Sequence, residues 1–125
     1  AVMAIGPDPI FAPGCDFSVI MDALGTIDNT LSDTMRTRIS NRIKEWAMEG
    51  FVYAAYYNMT NIENETVSKS LGNTARCMNL NGDYGWNCWA RSAFRDYMIA
   101  AGKTAVDLGV MYIFLDVSSP GLVDF

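Results

Sequence analysis

Ile20, Leu24, Ile27, Leu31, Met35, Ile39, Ile43 and Trp46 follow one another at steps of three or four, the spacing that lines one face of a helix. The pattern predicts a long helix beginning near Asp16, capped by Asp16 or Ser18 and stopped by Gly50. Asp22, Asp28 and Asp33 lie in its first half and Arg36, Arg38, Arg42 and Lys44 in its second, an order that suits the helix dipole. Gly25 and the Asn29-Thr30 pair weaken the middle and offer a place to split. The basic cluster reads as a solvated face with local ion pairs.

After Gly50 the pattern changes to Phe51-Val52-Tyr53-Ala54-Ala55-Tyr56-Tyr57, an aromatic stretch that reads as a strand. Asn58 to Asn73 is polar, with one helical turn around Val67 to Leu71, and Ala75 to Leu80 forms a short strand ending in the Asn81-Gly82 reversal. Trp86, Ala90, Ala93, Phe94, Tyr97 and Ala101 share the face of a second helix, with Asp83 or Asn87 as cap and Gly102 as stop. Val110 to Val117 is a continuous apolar run that suits a central strand. Ala1 to Cys15 is apolar but carries Pro7, Pro9 and Pro13. That excludes a helix and predicts an extended arm or edge strand.

These elements predict an α+β fold in one domain spanning 1–125, with two helices on one face of a small antiparallel sheet. The alternative is an all-α bundle in which 51–59 and 106–117 are helical.

Composition then removes whole classes of activity. Half of the 125 residues are apolar, enough for a real core, and the net charge of -5 opposes a nucleic-acid partner. With no histidine, Ser-His-Asp triads and His-ligated metals are excluded. The chain has no apolar run near the roughly 20 residues of a membrane span. Gly102-Lys103-Thr104 lacks the glycine of a phosphate loop five residues earlier, where Tyr97 stands, and it follows a helix instead of opening one. The 14 acidic residues show no spacing that singles out a catalytic pair. The expectation is a protein with no cofactor that is not an enzyme.

Cys77 and Cys88 enclose the Asn81-Gly82 reversal, so their sulfurs can meet in a disulfide that stabilises by about 2 to 3 kcal/mol. Cys15 is then left over, and its pairing with either of the others is the alternative. Asn58-Met59-Thr60 and Asn64-Glu65-Thr66 match the glycosylation pattern. With Ala rather than Met at position 1, these features suggest a secreted product trimmed from a precursor. Tyr84, Trp86 and Trp89 cluster beside the cysteines with Phe94; they stack on sugar rings or insert into a membrane interface, or else belong to the core.

The helix ending in Glu49-Gly50, the following Phe51-Val52-Tyr53-Ala54 and the Cys-bearing second half resemble, in element order, secreted fungal killer toxins and related effectors with an α/β sandwich. The resemblance implies a small protein that harms competing cells by binding their surface or membrane without enzymatic turnover. The expected function is therefore that of a secreted toxin- or effector-like protein, with Tyr84, Trp86 and Trp89 as contact surface. Its partner is a cell-surface or membrane target. The alternative is a subunit of an extracellular filament or pilus, in which the Ala1 to Phe11 arm packs on another copy of the chain.

Overall fold

A computed structural model describes residues 3–6 and 17–116. In chain order the elements are β1 (Met3–Gly6), β2 (Phe17–Met21), α1 (Asp33–Met48), β3 (Phe51–Asn58), α2 (Glu65–Leu71), a 3-10 turn (Gly72–Ala75), β4 (Arg76–Met78), β5 (Tyr84–Asn87), α3 (Ser92–Asp107) and β6 (Tyr112–Asp116). The fold class is α+β, as the sequence implies.

The strands form a sheet in the order β1-β2-β3-β6 and a separate β4-β5 hairpin. The expected antiparallel pairing holds in the hairpin, whereas β1 pairs β2 and β2 pairs β3 in parallel. The reason is the connection. Parallel neighbours need a crossover of a dozen or more residues, and 22–50, containing α1, supplies one between β2 and β3.

The chain falls into two compact units. Among the described residues, the first holds β1, β2, α1, β3 as far as Tyr56, and 101–114. Its core is built by β2 and β3 against α1. Ser18, Val19 and Ile20 are all buried, as expected of a strand covered on both faces, and Ile39, Ile43 and Trp46 supply the buried stripe of α1. Trp46 stacks on Tyr53 with ring centroids 5.8 Å apart. The second unit holds 57–100 and 115–116, with Tyr57, Ile62, Ala75, Phe94, Tyr97 and Met98 buried.

The long first helix is the main correction. Its first residues form the strand β2, and α1 starts only at Asp33, capped by Ser32, whose Oγ accepts the Met35 N–H. A short buried strand followed by apolar loop residues mimics the 3.6-residue period, so Ile20, Leu24 and Ile27 fit a helical face they do not occupy. The chain breaks where Asp22 adopts φ 56° and Gly25 φ 76°. The last turn of α1 carries no basic residue, so the expected dipole arrangement does not extend to its C-terminal end.

Helix α3 also lies later than its pattern predicts. Trp86 and Asn87 belong to β5, and the helix starts at Ser92. It runs through Gly102 to Asp107, and the glycine in left-handed conformation after it is Gly109, φ 93°. The polar segment does contain its helical turn, α2, and β3, β4 and the reversal fall where expected. β6 forms, but at the end of the strand order instead of the centre, and Tyr112 to Leu115 are exposed. Met3–Gly6 of the N-terminal arm forms a strand at the opposite end of the same order, pairing with β2, while 7–15 fall outside the described residues.

Candidate functional site

The β4-β5 hairpin gathers the residues singled out by the sequence. Its turn is organised by Asn79, whose Oδ1 accepts the N–H groups of Asn81 at 3.0 Å and Asp83 at 2.9 Å. Asn79 N–H donates to Asp83 O, and Gly82 N–H donates back to Asn79 O. Gly82 sits at φ 85°, a conformation glycine adopts without steric cost. Leu80 at the tip is left fully in solvent.

A disulfide joins Cys77 to Cys88, with Cα atoms 5.1 Å apart, and closes the base of the hairpin as the sequence predicts. Asn87 holds that base to the rest of its unit. It is 7% exposed; its N–H donates to Thr60 O, its Oδ1 accepts the Ile62 N–H, and its Nδ2 donates to Ala75 O. A polar side chain this buried is tolerable only when its donors and acceptor are satisfied. The sequence assigned Asn87 to helix capping and missed this role. Its only sequence signal is an asparagine beside a cysteine at a strand end.

Alternation along β5 turns Asn87 inward and leaves Tyr84 and Trp86, two residues apart, on one exposed side. Tyr84 is 40% exposed, Trp86 48% and Trp89 40%; Met78 at 52% and Leu80 add apolar surface that the sequence did not flag. Trp89 is only partly a surface group. Its indole N–H donates to Met59 O at 2.8 Å and its ring meets the buried Phe94 edge-on at 5.2 Å. Of the two expectations for the aromatic cluster, Phe94 is core, Trp89 is an anchor with an exposed edge, and Tyr84 and Trp86 are surface. Arg91 and Arg95 brace the base by donating to the carbonyls of Arg76 and Trp89.

No protein family matches this chain, and neither does any curated protein or solved structure. Function therefore has to be read from its own surfaces.

A concave region lies along α1, a cavity of about 620 Å³ bordered by Leu24, Met35, Arg38, Asn41, Arg42 and Glu45. Its one carboxylate, Glu45, is bound by Arg42 at 2.9 Å, and Arg42 also lies over the Trp46 ring. Near it, Leu24 N–H donates to the Tyr53 hydroxyl. Burial pushes the Tyr53 phenol up to about 12, with the Asp22 charge adding to the effect and the Leu24 hydrogen bond opposing it. Burial also raises the Asp22 carboxyl. Asp28, 1% exposed, accepts both the N–H and the hydroxyl of Thr30 in a local turn. Among the described residues no three acids or cysteines converge in a group that could hold a metal ion.

Asn58 and Asn64, the two glycosylation candidates, both have structural uses. Asn58 Oδ1 accepts the N–H and hydroxyl of Thr60, and Asn64 Oδ1 caps α2 by accepting the Val67 N–H. No helix among the described residues is long and apolar enough to cross a membrane.

Proposed function

We propose that the protein is a secreted, non-enzymatic binding protein of toxin or effector type that engages a target cell at its membrane surface through the β4-β5 hairpin. One observation carries this reading: Met78, Leu80, Tyr84 and Trp86 project from a hairpin closed by a disulfide, each with 40% or more of its surface in water. Exposing this much apolar side chain gains no folding free energy, so its value lies in contact with something else. A pre-stapled hairpin also loses little conformational entropy when it binds.

The chemistry of the patch favours a membrane interface over a deep protein pocket. Tyr and Trp rings suit the headgroup region, Leu80 at the tip can enter the acyl boundary, and Arg76, Arg91 and Arg95 near the base suit anionic headgroups. The disulfide is compatible with the oxidising environment of an extracellular protein.

Tryptophan emission provides the test, because Trp46 is buried and any shift on binding reports Trp86 and Trp89. Adding phosphatidylcholine vesicles with and without phosphatidylglycerol should shift emission to the blue, more strongly with the anionic lipid. An unchanged spectrum and no co-sedimentation with either vesicle would reject the membrane reading. Killing of susceptible cells by wild-type protein, lost when Trp86 and Trp89 are both replaced by Ala, is the corresponding test of toxicity.

A further inference from the structure

We infer that β6 is a self-association edge through which two copies of the chain join antiparallel into one continuous sheet. Its residues are exposed on both sides at once: Tyr112 47%, Ile113 42%, Phe114 41% and Leu115 52%, preceded by Met111 at 69%. Successive strand residues point to opposite faces, so a helix or loop lying on the sheet would cover only half of them. A strand added alongside shields both sets together. Among the described residues β6 ends the strand order, and Met111 to Leu115 contain no lysine, proline or other charge of the kind that usually blunts an exposed edge.

The pattern of the strand selects another β6 as the occupant. A twofold axis perpendicular to the sheet and passing through Ile113 sets Ile113 opposite itself, Tyr112 opposite Phe114, Met111 opposite Leu115 and Val110 opposite Asp116. Each of the first three is an apolar cross-strand pair, and the β-branched and aromatic ones are among the more stabilising. Tyr56 already stacks on Phe114, centroids 6.1 Å apart. In the paired sheet that stack continues onto the Tyr112 ring of the second copy. Charge excludes the parallel alternative, in which Asp116 would face Asp116 between two chains of net charge -5. Moving the axis to Phe114 is also worse, because within Met111 to Leu115 only Ile113, Phe114 and Leu115 then find apolar partners in the same run.

Size sets the expected strength. With large side chains offering about 150–250 Å² each, Met111 to Leu115 present on the order of 450 Å² per copy, or about 900 Å² for the pair. That upper figure falls short of the roughly 1,000 Å² of a stable specific interface, so the dimer should be weak and concentration-dependent.

Sedimentation velocity over rising concentration should show a monomer–dimer equilibrium in the wild type. Ile113→Lys, which sets two like charges against each other at the axis, should weaken it at least ten-fold. Trp86→Ala in the hairpin should leave it unchanged. Register is tested in a Cys15→Ser background, where Ile113→Cys should oxidise to a covalent dimer and Met111→Cys should not, since residue 111 lies far from its own counterpart in this register. A wild-type protein that stays monomeric at about 1 mM overturns the inference. So does association lost with Trp86→Ala but kept with Ile113→Lys, or crosslinking through position 111 but not 113.

Discussion

Trp46 and Tyr53 stack between α1 and β3 and are almost wholly buried, whereas Trp86 and Tyr84 stand on the hairpin with close to half their surface in water. The two regions use the same residue types for opposite ends. Around β3, aromatic area removed from water holds the unit together. In the hairpin, order comes from a disulfide, the Asn79 turn and three hydrogen bonds of Asn87. Its apolar side chains are thereby left exposed, the surface through which we propose the protein binds. Substitutions in the two regions should therefore separate stability from binding.

The largest effect belongs to the buried side. Trp46→Ala removes the ring that covers Tyr53 and should cost about 3–5 kcal/mol in denaturant unfolding; a cost below about 1 kcal/mol would mean that the stack is not part of the core. Next comes the staple. Cys77→Ser with Cys88→Ser frees a short loop and should lower stability by about 2–3 kcal/mol, a loss that reducing agent should reproduce in the wild type.

A third effect depends on pH. The folded Tyr53 phenol holds its proton to about pH 12, against an ordinary value of 10. Below pH 10 both states keep the proton and the contribution is complete. As pH rises towards 12 the unfolded chain ionises first, so stability falls over that window. Tyr53→Phe should flatten the fall, and a slope unchanged by that substitution would contradict the assignment.

Gly102 gives the smallest change, of opposite sign. It sits inside α3 with open space where a Cβ would project, so Gly102→Ala should stabilise by about 0.5–1 kcal/mol. Gly109, at φ 93°, should tolerate no such change. Destabilisation by Gly102→Ala would show that the helix is packed more tightly there than its glycine suggests.

The same two regions explain what the sequence revealed. Half of the hairpin is legible because its signals are local: the Asn81-Gly82 reversal, the spacing of Cys77 and Cys88, and the short strand before them; β5 is not, because Trp86 fits the face of the helix that starts only at Ser92. The Asn87 network was hidden, since Thr60, Ile62 and Ala75 lie 12 to 27 positions away in the chain, a separation no pattern reports. In the four-stranded sheet, β3 was legible from its aromatic and apolar run, but β2 was not. Ile20, buried in a strand, and Leu24 and Ile27 after it continue the spacing of α1 so closely that helix and strand cannot be told apart by period. The apolar run of β6 marks a strand correctly, yet composition does not distinguish a central strand from an exposed edge. The sheet neighbours make that distinction.

The most direct test of the hairpin account pairs two readings on one variant, Leu80→Ser with Trp86→Ala. The account predicts an unfolding midpoint close to wild type together with at least ten-fold weaker binding to phosphatidylglycerol-containing vesicles. A variant that binds those vesicles as the wild type does, or that loses binding only because it no longer folds, would contradict it.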